Sequence, residues 1–459
     1  MSSVPVVNPS TGARITDVEL ASLEQLDAAV AAARAAAPAW GADAAARAKA
    51  LETVAAVITE NADELARLLS TEIGVPLKDT AMEVGGAAAF AKYRARTPLA
   101  VDVVHDDERQ SVVVRRKPIG VVGAILPWNA PLLILAEKVA SAFGAGNTVV
   151  VKTSPLAPLA VARVGELLAD QLPPGVLSIL CGDAALGAAL VEHPGVGMIS
   201  FTGSIRAGRQ IMAAAAPRLK RLSLELGGND AALILPDVDV ARTAPKVFMN
   251  AFYRTGQICA GIKRVYVPAQ IYDETVEAFA HLASTIRVGD PFEEGVVLGP
   301  LSNRMQFDRV AELVDGARAA GATIVAGGQR LGDAGCFYSP TIVTDAGPEV
   351  PIVADEQFGP ALPLIRYENL DEAITAANAT DFGLGASVWG ADPLAAAEIA
   401  TRLDAGSVWV NRHGVVAPDV PFGGTKQSGV GRANGDVGVD AYSELTTISV
   451  QLNRAKPSA

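Results

Sequence analysis

The fold class is decided by residues 119–151, which read IGVVGAILPWNAPLLILAEKVASAFGAGNTVVV. The outer segments, 119–126 and 147–151, are short apolar runs typical of strands that are buried on both faces. The segment between them, 131–143, has the length and composition of a helix. A strand, a helix and a second strand in this order predict a parallel sheet that is covered by helices.

The apolar stretch 119–136 also resembles a membrane span, but Pro127, Asn129 and Pro131 interrupt it. A lipid-exposed helix would leave backbone groups unsatisfied at these positions. The N-terminus has neither a basic region nor an apolar region, so it does not resemble a signal peptide. We therefore expect no membrane role.

Short apolar strands and helices continue to alternate on both sides of residue 228. This pattern predicts an α/β fold with two α/β domains. The predicted strands are 177–180, 197–201, 221–225, 263–267, 323–326, 362–367 and 407–410. The predicted helices are 158–171, 186–192, 205–216, 239–252, 272–283, 304–320, 371–377 and 394–402.

The first hundred residues look helical. Ser22 and Gln25 have the spacing of a capping box, and the Ala-rich helix that follows is expected to end at Pro38. Further helices are predicted at 44–60 and after Asn61. Alternating residues at 111–116 and 443–451 predict two more strands, of which the second has no obvious local partner.

The composition excludes several classes of protein. The 459 residues carry 38 Lys and Arg against 50 Asp and Glu, a net charge of −12, so we expect no nucleic-acid partner. Half of the residues are hydrophobic, which excludes a wholly disordered chain. The three cysteines form no CxxC pair, which suits a reducing cytoplasm and argues against a disulfide scaffold. No metal site is evident.

Two residues have sequence surroundings that suit covalent chemistry. Cys259 lies in GQICAG (256–261), where small neighbours let a substrate approach the sulfur. Glu225 ends an apolar strand, and a carboxylate there is costly unless it is used or paired. On the residues alone, an inert buried thiol is the simpler interpretation of Cys259, and a salt-bridged strand end is an equal alternative for Glu225.

Three further segments follow predicted strands and carry polar groups. FTGS (201–204) places backbone N–H groups and a hydroxyl at a helix start, which suits a phosphate. Lys152 is positioned to reach a ribose or phosphate, and Asn129 to donate to an oxyanion. A solvated charge at Lys152 and an Asx turn at Asn129 are the simpler alternatives.

Taken together, these segments resemble the NAD(P)-dependent aldehyde dehydrogenase superfamily over nearly the whole chain. The motifs that carry the resemblance occur in the family's order and spacing. They are NPSTG (8–12), PWN (127–129), VVVKTSP (149–155), FTGS (201–204), ELGGND (225–230), GQICAG (256–261), DEQFGP (355–360) and PFGGTKQSG (421–429).

The resemblance implies a catalytic role for four residues. Cys259 matches the nucleophile that forms a thiohemiacetal and then a thioester, and Asn129 matches the amide that stabilises the oxyanion. Glu225 matches the base that activates water for hydrolysis. Lys138 matches a lysine of the family's proposed proton relay.

The resemblance also implies binding residues. Lys152 matches the ligand of the adenosine ribose, Ser204 a ligand of the pyrophosphate, and Glu356 the ligand of the nicotinamide ribose. The full implied cofactor set is Trp128, Lys152, Ser154, Gly203, Ser204, Glu356 and Phe358. The residues implied to line the aldehyde site are Ala130, Glu137, Ile258 and Phe422.

Several positions depart from common family patterns. Pro155 stands where many NAD-preferring members carry a glutamate, so use of NADP becomes possible, but no added Arg or Lys is evident and we expect NAD. Ala130 and Glu137 replace aromatic residues, which implies a wider or more polar tunnel. Ala433 replaces a glutamate of the proton relay, and we expect proton exit through Glu137 instead.

The resemblance implies three parts in the chain. These are a Rossmann-type cofactor domain (1–99 and 119–227), an α/β catalytic domain (228–428) and a small β arm for oligomerisation (100–118 and 443–452). We expect a homodimer or homotetramer that oxidises an aldehyde to the acid. A CoA-acylating enzyme and an inactive structural member are the alternatives.

Overall fold

In a computed structural model, which describes residues 2–452, the chain begins with a β-hairpin before four helices. The two strands of this hairpin were not predicted, since only its Val6 is buried and its pattern is weak. The first elements are β1 (Ser3–Val7), β2 (Arg14–Glu19), α1 (Leu23–Ala42), α2 (Ala44–Glu60), α3 (Ala62–Ile73), α4 (Leu77–Ala95), β3 (Asp102–Asp106) and β4 (Gln110–Pro118).

The predicted end of α1 at Pro38 is wrong, because the helix continues to Ala42. The capping box between Ser22 and Gln25 is confirmed. Beyond Pro38, the buried Trp40 donates from Nε1 to the Asn147 carbonyl oxygen (2.9 Å) and packs edge-on against Phe143. These tertiary contacts hold the last turn in spite of the proline.

The central part of the chain forms a parallel sheet, as predicted. Its strands lie in the order β9-β8-β5-β6-β7. The chain adds β6 and β7 on one side of β5 and then returns to add β8 and β9 on the other side, which is the arrangement of Rossmann-type domains. Its elements are β5 (Val121–Ile125), α5 (Pro131–Gly144), β6 (Thr148–Thr153), α6 (Leu159–Leu168), β7 (Leu177–Cys181), α7 (Ala184–Glu192), β8 (Met198–Thr202), α8 (Ile205–Ala215) and β9 (Arg221–Glu225).

The next part forms a seven-stranded sheet in the order β12-β13-β14-β11-β10-β15-β16, parallel except for β12. The short strands β10, β13 and β15 were not predicted. The elements are β10 (Asp230–Ile234), α9 (Val240–Phe252), β11 (Ile262–Pro268), α10 (Tyr272–Thr285), α11 (Arg304–Ala319), β12 (Thr323–Ala326), β13 (Thr341–Thr344), α12 (Pro351–Ala354), β14 (Ala361–Tyr367), α13 (Leu370–Asn378), β15 (Gly385–Trp389), α14 (Pro393–Ala400) and β16 (Ser407–Val410).

The last elements return to the earlier sheets. They are β17 (Gly429–Val430), α15 (Gly435–Asp440) and β18 (Ser443–Gln451). β17 pairs antiparallel with β9, and β18 pairs antiparallel with β4 from Ser443 opposite Pro118 to Gln451 opposite Gln110. The tail strand therefore has a partner in its own chain. The resulting three-stranded sheet, β18-β4-β3, is called the arm below.

The three-part division of the chain stays a prediction. The strands of the three large sheets keep to the predicted ranges, except that β17 lies after residue 428 and joins the cofactor-side sheet. The helices α2 to α6 pack with β5 and β6 in one hydrophobic cluster, so the N-terminal helices belong with that sheet. Within residues 2–452, no helix combines the length and apolar character needed to cross a membrane.

Candidate active site

A cavity of about 860 Å³ lies where β5, β6 and β8 end. In open α/β sheets, ligands bind beyond the carboxyl ends of the strands at the point where strand order reverses. The cavity wall includes residues that come from widely separated motifs. The predicted site residues on it are Trp128, Asn129, Lys152, Ser154, Gly203, Ser204, Cys259, Glu356 and Phe358.

The start of α8 forms part of the cavity wall. Ser204 is the N-cap of this helix, and its Oγ accepts a hydrogen bond from the Ala207 backbone N–H (3.3 Å). A Cβ at Gly203 would lie 2.4 Å from the ring of Phe201, so a larger residue there would require this ring to move. The free N–H groups and positive dipole end of α8 suit an anionic group such as a phosphate.

Lys152 lines the cavity from β6. Its Nζ donates to the carbonyl oxygens of Thr153 (2.8 Å) and Gly182 (2.7 Å), which leaves one N–H for a ligand. Burial lowers the pKa of Lys152 to about 8. The side chain is thus built into the cavity wall, and the solvated-charge alternative is wrong.

Glu356 and Phe358 also line the cavity. Oε1 of Glu356 accepts a hydrogen bond from the Gly228 N–H (3.0 Å), and burial raises the pKa of this carboxyl to about 7. Phe358 has a φ of +49° and packs edge-on against Trp128, with ring centroids 5.5 Å apart. A left-handed residue that is not glycine is costly and is found mostly at functional sites.

Cys259 lines the cavity and is half-buried. Three residues before it have positive φ in succession, Arg254, Thr255 and Gly256. A Cβ at Gly256 would lie 2.4 Å from the Gly359 carbonyl oxygen, so this turn requires glycine. Burial raises the pKa of the Cys259 thiol to about 12, and Lys263 is the first group that opposes this rise. The thiol is therefore accessible, yet needs help to ionise.

Asn129 lies next to the segment that carries Cys259. Its Nδ2 donates to the Gln257 carbonyl oxygen (2.9 Å), which leaves one amide N–H free. The backbone carbonyl oxygen of Asn129 accepts a hydrogen bond from Arg254 (2.8 Å), and Arg254 forms a buried salt bridge with Glu83 (2.7 Å). This network, and not an Asx turn, holds the side chain in place.

Glu225 lies behind the cavity wall, directly before the lining residues Leu226 and Gly227. It is 5% exposed, and neither carboxylate oxygen has a hydrogen-bond partner within the described residues. Burial, and after it the charge of Glu137, raises the pKa of Glu225 well above its ordinary value. No salt bridge satisfies this carboxyl in the part of the chain that the structure describes, so it does not fit a salt-bridged strand end.

Lys138 is fully buried and donates from Nζ to the Ser200 hydroxyl oxygen (3.0 Å). Ser200 in turn hydrogen-bonds the Tyr442 hydroxyl (2.6 Å). Burial lowers the pKa of Lys138, which is also within electrostatic reach of Glu137 and Glu225. Ala433 lies apart from this chain of hydrogen bonds and pairs its backbone with Phe422.

The four residues predicted to contact the aldehyde lie outside the cavity wall. Phe422 is buried in a cluster with Ala260, Leu384 and Trp409, against which Cys259 packs. Ala130 precedes α5, Glu137 lies half-buried within that helix, and Ile258 directly precedes Cys259. Phe422 and Cys259 therefore belong to one apolar cluster, and the aldehyde contacts of all four residues stay a prediction.

Several residues of this site had no signal in the sequence. Lys263, Arg254, Glu83, Ser200 and Tyr442 all make buried polar contacts around the predicted catalytic residues. Their burial is the feature that distinguishes them, but burial follows from tertiary packing and is not visible in the sequence. Within residues 2–452, no group of three His, Cys, Asp or Glu side chains is placed to hold a metal ion.

Comparison with known proteins agrees with this geometry. The family model described as "Aldehyde dehydrogenase family" matches residues 1–448. The chain is 39% identical to the 3,6-anhydro-alpha-L-galactose dehydrogenase of Streptomyces coelicolor, over 98% of this chain and 93% of the relative.

Solved structures give the same result. The NAD⁺ complex of an aldehyde dehydrogenase from Bacillus cereus superposes with a TM-score of 0.95 at 32% identity, covering 98% of this chain and 93% of that one. PnpE from Pseudomonas sp. WBC-3 has a TM-score of 0.95 at 36% identity, covering 100% and 96%. The chain belongs to the aldehyde dehydrogenase family, and its fold is that of the family's Rossmann-type and catalytic domains.

Proposed function

We propose that this protein oxidises an aldehyde to the carboxylic acid with NAD, using Cys259 as nucleophile and Glu225 as hydrolytic base. The observation that carries the proposal is that Cys259 shares one cavity with every residue expected to bind the cofactor. An inert thiol has no need of such a position. The family membership supports the reaction class, and the geometry supports the assignment of roles.

The cavity fits a dinucleotide. It offers the start of α8 for phosphates, Lys152 for a ribose or phosphate, and the Glu356 carboxylate for ribose hydroxyls. When bound, NAD supplies the acceptor for the hydride that leaves the substrate carbon. Trp128 and Phe358 form the apolar part of the wall.

The chain's own groups perform the remaining chemistry. The Cys259 thiolate forms a bond to the aldehyde carbon, and the carbonyl electron pair moves to oxygen, where the Asn129 amide and the Cys259 N–H stabilise it. Loss of the hydride leaves a thioester on Cys259. Glu225 takes a proton from water, the hydroxide adds to the thioester, and the thiolate leaves as the acid forms.

The choice between NAD and NADP depends on the residues around the site of the 2′-phosphate. Pro155 lines the cavity, so no carboxylate opposes a 2′-phosphate at that position. The sequence shows no cation beside it, but the structure places Arg206 on the same cavity. NAD is favoured by the bound NAD⁺ of the Bacillus cereus relative.

Two alternative functions can be distinguished from the proposed one. A CoA-acylating enzyme would transfer the acyl group to a thiol, whereas the unpartnered Glu225 carboxylate favours water as the acceptor. An inactive structural member would have no reason to keep Cys259 and Asn129 on one cavity with Glu225 directly before the lining residue Leu226. Formation of acyl-CoA would identify the first alternative.

The test is NADH or NADPH absorbance with a panel of aldehydes. We expect turnover with NAD, loss of turnover in Cys259→Ser, and retention in the matched control Cys336→Ser, whose thiol is buried away from the cavity. Activity that survives in Cys259→Ser overturns the proposal. So does the absence of NADH formation with every aldehyde.

We also propose a homodimer or homotetramer that is joined through the arm. The compartment that suits the chain is the cytoplasm, since Cys181, Cys259 and Cys336 are all free thiols.

A further inference from the structure

Lys263 is a buried lysine on β11, four residues after Cys259, and only 3% of it is exposed. Its Nζ donates to the carbonyl oxygens of Ile258 (2.6 Å), Cys259 (2.7 Å) and Gly261 (3.2 Å). An ammonium group has three N–H donors, and all three are used here. These bonds tie the Lys263 side chain to the backbone on both sides of Cys259.

The same ammonium group lies 3.9 Å from Oε1 of Glu356, the carboxylate expected to bind the nicotinamide ribose. Lys263 therefore links Glu356 to the segment that carries the thiol. A buried cation with a full set of hydrogen bonds and one counter-charge is an arrangement that the interior tolerates.

Three charged groups act on the Cys259 thiol from the elements packed around it. Lys263 favours the thiolate, whereas Glu356 on the segment after α12 and Asp230 on β10 oppose it. The backbone N–H of Ala260 also favours the thiolate. Since burial raises the pKa of this thiol to about 12, Lys263 is the one side chain in this set that works against burial.

We propose that Lys263 is a positioning residue for the reaction: it pins the backbone on both sides of Cys259 and supplies the positive charge that stabilises the thiolate. The inference rests on the proposed role of Cys259 as nucleophile. The negative charge of Glu356 partly offsets the positive charge of Lys263. Removing the charge of Glu356 therefore strengthens the effect of Lys263 on the thiol. The two residues form a pair with opposite effects on one sulfur.

The opposite signs give a test that does not depend on turnover. Iodoacetamide alkylates thiolates, so its rate at Cys259, followed in the cofactor-free enzyme by mass spectrometry of the Cys259 peptide, reports the thiolate fraction. At pH 8, Lys263→Gln is expected to react about tenfold more slowly, the change in thiolate fraction for one pKa unit. Glu356→Gln is expected to react about threefold faster, the change for half a unit.

Two controls separate charge from packing. Lys263→Arg keeps the charge and is expected to stay within about threefold of the wild-type rate. Arg264→Gln removes a buried cation from the next position, which donates to the Asn229 and Ala377 carbonyl oxygens and is not among the groups that act on the thiol. Its alkylation rate is expected to equal that of the wild type.

An unchanged rate in Lys263→Gln overturns the proposal, and so does an equal fall in Lys263→Gln and Arg264→Gln. Should Lys263→Gln fail to fold because Glu356 is left without its counter-charge, the double variant Lys263→Gln/Glu356→Gln is compared with Glu356→Gln. A tenfold slower double variant supports the proposal, and equal rates overturn it. Failure of the proposed function is detected by a different measurement, namely turnover that survives in Cys259→Ser.

Discussion

At the residue scale, the chemistry depends on side chains whose polar groups are only partly satisfied. Asn129 uses one amide N–H on the Gln257 carbonyl oxygen and keeps the other. Glu225 has no hydrogen-bond partner for either oxygen within residues 2–452. Buried polar groups are ordinarily paired, so unpaired ones mark the positions where a substrate, an intermediate or water completes the set.

The first prediction concerns Asn129. In Asn129→Ala we expect kcat to fall by about 10²–10³-fold, because one oxyanion donor contributes about 2.7–4 kcal/mol to the barrier. Steady-state kinetics with NAD and a reactive aldehyde measure this. Asn129→Asp, which keeps the shape but repels an oxyanion, is the matched variant. A kcat within threefold of the wild type in both variants contradicts the assigned role.

The second prediction concerns proton exit. Glu137 raises the pKa of Glu225, so Glu137→Gln removes a negative neighbour and lowers the pKa of the base. The base acts when deprotonated, so the acidic limb of the pH–rate profile is expected to move to lower pH. Tyr442→Phe, which cuts the hydrogen bond to Ser200, is the comparison. An unchanged profile in Glu137→Gln counts against Glu137 as part of the relay.

At the element scale, buried acidic side chains join helices to one another. Oε1 of Glu83 in α4 accepts from the N–H groups of Leu132 and Leu133 in α5, and its Oε2 pairs with Arg254. Glu72 in α3 accepts from Leu159 and Ala160 in α6, a helix without a side-chain cap of its own. The N-terminal helices therefore cap the helices that support the cavity.

The third prediction follows from Glu72. Burial raises its pKa from 4.5 to about 8, so the folded protein binds its proton more tightly than the unfolded chain does. The stability that this adds is present below pH 4.5 and is lost as pH rises toward 8, by at most about 1.4 kcal/mol per pH unit. Glu72→Gln lacks this loss, so its Tm relative to wild type should rise between pH 5 and pH 8.5. A constant difference in Tm across this range would refute the assignment.

At the scale of the whole molecule, the arm is the feature that one chain leaves incomplete. Within residues 2–452, its outer strands β3 and β18 each pair with β4 and with no other strand. Apolar side chains on them are exposed, among them Val103 (64%) and Leu445 (62%). Native proteins usually cover or pair such edges. A second copy of the chain is the partner that the proposed assembly provides.

The fourth prediction is that the wild type sediments as a dimer or tetramer at micromolar concentration. Val103→Lys together with Leu445→Lys is expected to shift it toward the monomer, because the buried charges oppose association. Leu394→Lys, which changes a still more exposed leucine (78%) on α14, is the control and should leave the assembly intact. A monomeric wild type excludes the arm as a site of assembly.

The local pattern of the sequence was sufficient for elements whose own residues decide them. β12, β16 and β18 have the predicted bounds, and the alternation through β5 to β9 predicted the first parallel sheet. The helix α4 and the strands β10, β13 and β15 were not predicted. Their short or irregular apolar patterns do not separate helix from strand, and neighbouring strands decide their state.

The sequence by itself determined the α/β class, the family resemblance and the residue types needed for thiol chemistry, because these depend on local periodicity and on short motifs. Only the tertiary structure decided which of them meet. It brought Cys259 to the cavity, placed Lys263 among the carbonyl groups of the same segment, and linked Lys138 to Tyr442 through Ser200. Contacts between residues far apart in the chain depend on how the sheets pack, and no local pattern encodes them.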